Sequence, residues 1–482
     1  MSSILETEPT TEPPGSPAPR GASWAALRPL VLRLHFYAGV LVAPFLLVAA
    51  ATGLLYAASW QVEKIVYSHE LYVPAGPATT PLSQQVAAAR AAQPRGTVTS
   101  VRTPAEPGRT TAVLMEVPGL APSTKLAVFV DPHTAEVRGT LESYGGSGAL
   151  PVRAWVSHLH RNLHLGEPGR IYSELAASWL WVVALGGLLL WLSRRRRPGR
   201  RVRRLLAPEP GTTGLRRTLS WHGAVGLWAV TGLLFLSATG LTWSAYAGEN
   251  VSGLRAALDW STPSLSSASG GGDHAAHAAT GHASHGGHAA HGAVVDRVAG
   301  AAARAGLFGP LEIVWPGGSG GAYVVKEIDN VWPQRLDQVA VDPGTAQVVE
   351  ELRFADHPPA AKLARWGIDG HMGVLFGPAN QLLLIALAAG LVFLVGYGYR
   401  MWWQRRPTRG FARPYRRGAW RGVRWAVLVP AAVAVVAVGW FLPLLGVSLA
   451  AFLLLDVLLG VLVGVRARVA SKARRRSGQV TS

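Results

Sequence analysis

Cysteine is absent from all 482 residues. No disulfide can staple a domain of this chain, and no thiolate can hold an iron–sulfur cluster. Covalent c-type haem attachment, which needs C-x-x-C-H, is excluded as well. Acidic residues are scarce, with 27 Asp and Glu against 46 Lys and Arg and a formal net charge of +19. In a soluble protein that balance would suit nucleic acid. Here the basic residues gather beside apolar runs, at Arg28 and Arg33, Arg194 to Arg204, Arg400 to Arg424 and Arg466 to Arg476. That placement speaks against a nucleic-acid partner and for membrane topology set by the positive-inside rule. There is no G-x-G-x-x-G before a helix, no Walker A, no H-E-x-x-H and no G-x-S-x-G. The loops on the basic side reach only roughly 20–25 residues, too short for a nicotinamide or flavin domain. Electrons, if the chain uses them, must come from a membrane quinol or a separate reductase.

What is abundant is apolar sequence, 49% of the chain. Runs at about 38–59, 173–193, 222–246, 379–401, 425–442 and 444–465 approach the roughly 20 residues that cross a bilayer. The last two are short and interrupted by Pro430 and Pro443, so they read as a tight hairpin of two spans or one re-entrant element. The basic clusters, taken alternately, fall on one side of the lipid bilayer, which predicts a multi-pass protein with both termini cytoplasmic. The predicted organisation is a cytoplasmic tail over 1–28, a span over 29–59 and an extracytoplasmic domain over 60–170. A span over 171–193, a basic loop over 194–218 and a span over 219–246 follow. A second extracytoplasmic domain occupies 247–370, with a span over 371–403 and a basic loop over 404–424. A C-terminal hairpin over 425–465 and a basic tail over 466–482 complete the chain. The first apolar run is longer than a signal-peptide core and follows a Pro-, Glu- and Thr-rich stretch, so it is expected to be a retained anchor.

Internal repetition is the strongest signal. His35 is followed by Gly39 and by Thr52-Gly53, and His222 at the same offsets by Gly226 and Thr239-Gly240. His160 is followed by Gly166, Trp191 and Arg194-Arg195, and His371 by Gly377, Trp402 and Arg405-Arg406 at matching offsets. Asp131-Pro132 precedes His160 by the same interval at which Asp342-Pro343 precedes His371. His160 and His371 are spaced more widely than His35 and His222, so the second half carries an insertion. The interval concerned holds the low-complexity insert at about 273–292. In each extracytoplasmic domain a helix (Leu82 to Ala92; Val294 to Gly306) precedes alternating segments (Thr111 to Val117 and Lys125 to Val130; Ala322 to Ile328 and Gln338 to Val341). The predicted fold class is therefore a membrane α-helical bundle, a two-helix repeat duplicated into four core helices plus a C-terminal hairpin, with two small α+β domains.

The repeated histidines carry the chemistry. His35 and His222 are expected at the cytoplasmic helix mouths, and His160 and His371 at the outward ones. Paired histidines from facing helices hold haem iron axially in bundles. Two pairs predict two non-covalent bis-His haems, one near each face. The glycines at plus four and in the Thr-Gly pairs are expected to clear space for a flat macrocycle or a close helix. The competing reading is that these are interfacial histidines at helix ends. His164 lies four residues after His160, on the same face if that segment stays helical, and is an alternative outer ligand. Its counterpart is Leu375, while that of His158 is Asp369. The tract His274, His277, His282, His285, His288 and His291 has the spacing of a binder of Cu(II), Ni(II) or Zn(II). Asp456 stands inside the last apolar run with no partner in that span, and Glu174 reads as interfacial.

The run Arg33-Leu-His35-Phe-Tyr-Ala-Gly39 with Thr52-Gly53 resembles the first helix of the PepSY-associated transmembrane family. Leu159-His160-Arg161-Asn-Leu-His164-Leu-Gly166-Glu-Pro-Gly-Arg170 is similar to its second-helix signature, and Val-Asp131-Pro and Val-Asp342-Pro-Gly-Thr resemble the closing turns of PepSY domains. The resemblance covers about 30–410; the tract and residues 411–482 depart from it. It implies a bacterial inner-membrane protein with two PepSY-like domains, related to di-haem ferric-siderophore reductases with b-type haem. It further implies that His35, His222, His160 or His164, and His371 are the haem ligands, and that a ferric siderophore or other metal complex is reduced outside. Two other readings stand beside this one. In the first, the domains bind or regulate a partner; in the second, the tract handles copper or zinc without electron transfer.

Overall fold

The computed structural model describes residues 24–76, 78–193, 203–265, 291–317, 321–405 and 423–478. His274, His277, His282, His285 and His288 lie outside the described residues, as does the side chain of His291.

The chain begins with helices α1 (Trp24–Leu41) and α2 (Ala43–Val66), which are separated at Val42, just before Pro44. Pro44 has no N–H, so the carbonyl of Val40 loses its helical donor. The Tyr399 hydroxyl donates to that carbonyl at 3.0 Å, and the Tyr172 hydroxyl donates to the carbonyl of Pro44 at 3.1 Å. The expected span over 29–59 is instead divided between two helices, and α2, the one long and apolar enough to cross a membrane, runs on to Val66. A short turn, α3 (Ser68–Leu71), leads to α4 (Leu82–Ala92) and to strands β1 (Thr97–Arg102), β2 (Thr111–Glu116), β3 (Thr124–Val130) and β4 (Val137–Tyr144). Then come α5 (Pro151–Asn162), α6 (Glu167–Ser193), the turn α7 (Arg203–Leu206), α8 (Gly214–Leu241) and α9 (Tyr246–Ala257). The second half continues with α10 (His291–Arg304), β5 (Leu311–Val314), β6 (Tyr323–Glu327), β7 (Gln338–Val341), β8 (Val348–Leu352), α11 (Pro359–Met372) and α12 (Gly377–Gln404). The last helices are α13 (Trp425–Phe441) and α14 (Pro443–Gly478).

The helix-then-meander pattern occurs twice, as expected, but the two units are not separate. The eight strands form one antiparallel sheet in the order β4-β3-β2-β1-β5-β6-β7-β8. The halves join edge to edge, with Ser100 opposite Val314, Val101 opposite Ile313 and Arg102 opposite Glu312. Bonds from Thr103 N to Leu311 O and from Trp315 N to Thr99 O, both 2.9 Å, extend the seam. Each half leaves one edge strand open, and pairing those edges removes two unpaired backbone rows at once. Helices α4 and α10 cover one face. Val86, Ala89, Val295 and Val298 from the helices share a core with Val101, Val113, Val128, Ile313, Tyr323 and Val339 from the strands. On the other face Arg102 meets Glu312 at 3.2 Å, and Ser100 donates to Glu312 at 2.8 Å.

Five helices among the described residues are long and apolar enough to cross a membrane: Ala43–Val66, Glu167–Ser193, Gly214–Leu241, Gly377–Gln404 and Pro443–Leu462; Trp425–Phe441 is shorter. In the bundle α2 packs on α6 and α12, and α8 packs on α6 and α12. The hairpin α13–α14 turns tightly because Gly439 and Gly446 let the backbones touch; a Cβ on Gly446 would lie 2.4 Å from the Gly439 carbonyl oxygen. It docks on the side of α6, where Trp179 Nε1 donates to Ser448 Oγ at 2.9 Å. Asp456 has a partner after all, an ion pair with Arg33 of α1. The sequence hid it because the two residues stand at opposite ends of the chain.

Glu174 also differs from expectation. It is buried, and its carboxylate accepts from the N–H groups of Tyr246 and Ala247 at 3.0 and 2.9 Å. A carboxylate from α6 therefore caps the N-terminus of α9, satisfying donors that helix ends leave free. Glu63 near the end of α2 acts similarly on α5, accepting from Leu150 N at 2.9 Å and from Arg153 Nε at 3.0 Å.

Candidate functional site: two facing histidine pairs

His35 lies on α1 and His222 near the start of α8, at the end of the bundle away from the sheet. Their ring centroids are 6.3 Å apart and the rings are inclined by 70°. His160 lies in the last turn of α5 and His371 in the last turn of α11, at the sheet end. These two also stand within electrostatic range of each other. All four side chains are half-buried. Helix α8 runs from His222 up to Gly240, which lies beside His371. At about 1.5 Å per residue that stretch rises about 27 Å, close to the ~30 Å of a hydrocarbon core.

Each ring is held by the helix it faces, and the holding repeats. Thr52 Oγ1 gives its own proton to Val48 O at 2.8 Å and accepts from His160 Nδ1 at 2.9 Å. Thr239 Oγ1 gives its proton to Phe235 O at 2.7 Å and accepts from His371 Nδ1 at 2.7 Å. His35 Nδ1 donates to Val183 O at 3.0 Å. These partners assign the N–H to Nδ1 in three rings and leave Nε2 with its lone pair. A metal-ligating histidine is normally oriented in that way. The fourth ring, His222, faces the backbone of Leu394, the repeat counterpart of Val183, and its Nδ1 is buried with no hydrogen-bond partner among the described residues.

A glycine lies against each ring. A Cβ on Gly53 would come within 3.2 Å of His160 Cε1, on Gly187 within 3.0 Å of His35 Cε1, on Gly240 within 3.6 Å of His371 Cε1 and on Gly398 within 4.0 Å of His222 Cε1. Gly53 and Gly240 were expected from the Thr-Gly pairs. Gly39 and Gly226 were expected too, but Gly39 meets nothing within 4 Å and Gly226 meets only Leu394. Gly187 and Gly398 were missed, though their separation along the chain equals that of His160 and His371. That shared offset was the available signal.

His160 and His371 also differ from expectation in their supports. They do not lie on the long spans but on α5 and α11, separate amphipathic helices that dip toward them. Helix α5 ends at Asn162, and Leu163 and His164 follow with φ of 54° and 55°. His164 therefore leaves the face of His160 and is not brought to His371. It stacks on Trp155, with centroids 4.9 Å apart.

Among the described residues no group of three or more His, Asp, Glu or Cys converges as a metal site. The donor set is pairs of imidazoles. Such a pair fits an iron whose other four positions a porphyrin fills. With imidazole–metal bonds of about 2.0–2.1 Å, His35 and His222 stand close enough that both could reach one metal between them.

The match to a curated relative is local. An uncharacterized protein of Pseudomonas aeruginosa is 37% identical over 92 residues, which span 19% of this chain and 21% of that protein. Residues 32–405 match the family described as the PepSY-associated TM region, a stretch that contains both histidine pairs and the whole sheet. The chain is a membrane protein that belongs to this PepSY-associated family.

Proposed function

We propose that the protein carries electrons across a bacterial inner membrane and delivers them to an outward ferric chelate of the siderophore type. The observation that carries this reading is the His35–His222 pair, two imidazoles from different helices with ring centroids 6.3 Å apart, close enough that both could hold one iron. His35 and His222 would hold one haem b, and His160 and His371 a second. Haem iron supplies reversible one-electron chemistry between its ferric and ferrous states. The residues of the chain hold the rings, fix their tautomers through Thr52, Thr239 and Val183, and keep side chains clear at Gly53, Gly187, Gly240 and Gly398. The arginine clusters support a cytoplasmic His35–His222 end and an outward sheet, with both termini inside. The sequence carries no nucleotide-binding motif, so a membrane quinol or a separate reductase is the electron source. Fe(II) binds hard oxygen donors less tightly than Fe(III), so reduction frees the metal from its chelator.

The test is an absorbance spectrum of protein purified from haem-replete cells, before and after dithionite. Reducible b-type bands are expected, and His222→Ala and His371→Ala should each remove about half of them. A colourless preparation sinks the proposal.

A further inference from the structure

A third pair of imidazoles stands at α5 and the turn that follows it, apart from the two repeated pairs. His158 and His164 have ring centroids 6.1 Å apart, at an angle of 41°. His158 packs on Tyr144 with centroids 4.6 Å apart, and His164 on Trp155. Two further observations concern His164. Its Nε2 donates to Trp155 O at 3.0 Å, which leaves Nδ1 unprotonated and able to bind a metal. Its position also requires two consecutive non-glycine residues, Leu163 and His164, in the left-handed region, where such residues are uncommon and strained. The second half ends α11 on Gly373 at φ 81°, the ordinary unstrained cap. It also lacks both imidazoles, with Asp369 and Leu375 at the corresponding positions. Asp369 is engaged with Arg365 and Gln334. The second repeat unit therefore adopts the same helix pair without these imidazoles, and only the first carries the left-handed turn that brings His164 back over Trp155.

We propose that His158 and His164 bind one imidazole-seeking divalent cation, of the Cu(II), Ni(II) and Zn(II) class. The pair supplies two donors, and water or a small chelator supplies the others. His164 is exposed, so an ion reaches it from solvent without rearrangement of the sheet. Arg161 lies over the Tyr144 ring and its charge acts on His158, which opposes binding and keeps affinity modest. The site does not depend on haem. If the electron-transfer reading holds, Cu(II) bound there would sit beside the helix that carries His160.

The experiment is calorimetric titration of the full-length protein with Ni(II), in a background where His274, His277, His282, His285, His288 and His291 are changed to serine. One saturable equivalent is expected. His158→Ala and His164→Ala should each weaken it at least tenfold, and His160→Ala should leave it in place. Cu(II) bound to the same protein should show nitrogen coordination by electron paramagnetic resonance, lost in the double variant. An unchanged isotherm in both single variants, or no saturable equivalent in the parent, overturns the proposal. Loss of the haem bands with the Ni(II) equivalent retained would defeat the electron-transfer reading alone.

Discussion

At the scale of the residue, the histidine rings depend on neighbours that make no metal bond. Thr52 and Thr239 have the same task on different helices: each passes its proton to a carbonyl one turn back and accepts from an imidazole. Thr239→Val keeps the shape and removes the acceptor. We expect it to weaken haem retention at the His371 site by about 10–100-fold, read as haem transfer to a scavenging protein. The His35–His222 site should be unaffected. The histidines themselves were legible in the sequence, because duplication printed each one twice at fixed offsets. Their partners were less so. The Thr-Gly pairs were visible, whereas Val183, Gly187, Leu394 and Gly398 lie in featureless apolar sequence. His164 was misplaced because nothing in Leu163-His164 announces a left-handed turn, a conformation that glycine usually marks.

At the scale of the element, the seam between β1 and β5 controls the sheet. Glu312 is pushed up by burial, but the Arg102 charge, the Ser100 hydroxyl and the Arg102 hydrogen bond outweigh burial and hold its carboxyl below the ordinary value. A depressed carboxyl stabilises the folded state above its unfolded pKa, and that contribution fades as pH falls through the lower folded value. Thermal unfolding should therefore lose stability below about pH 4.5, the ordinary value. The Glu312→Gln variant should show a flatter acid limb, and an unchanged limb would mean that the seam is not held by this pair. Helix α4 and strand β7 were readable to the residue, since their apolar periodicity is local. The seam was not, because the partner of β5 belongs to the other half of the chain. No local pattern specifies which edges pair at that distance.

At the scale of the whole molecule, the hairpin α13–α14 is an addition to a duplicated body. Its contacts run to α6, α9 and α1, and no ring of the four repeated histidines is held by it. A chain ending at residue 424 should keep both sets of haem bands and melt at a lower temperature, because Arg33 loses Asp456 and Leu442 and Leu445 leave the core. Loss of the His35–His222 bands in that chain would show that the hairpin braces the far end. The expected two-domain exterior became a single unit because each half offers a bare strand edge, and a duplicated gene places two such edges side by side.

The continuous ladder from β4 to β8 has a mechanical consequence. Two lids hinged on separate stems would flap as lipids thicken or thin, and the spacing of His160 and His371 would wander with them. Welded at Val101 and Ile313, they act as a lintel over the doorway. The bundle beneath can tilt to suit its bilayer while the span between α5 and α11 stays fixed. If the protein reduces an outward chelate as proposed, that chelate would reach His160 and His371 without the two halves of the sheet parting.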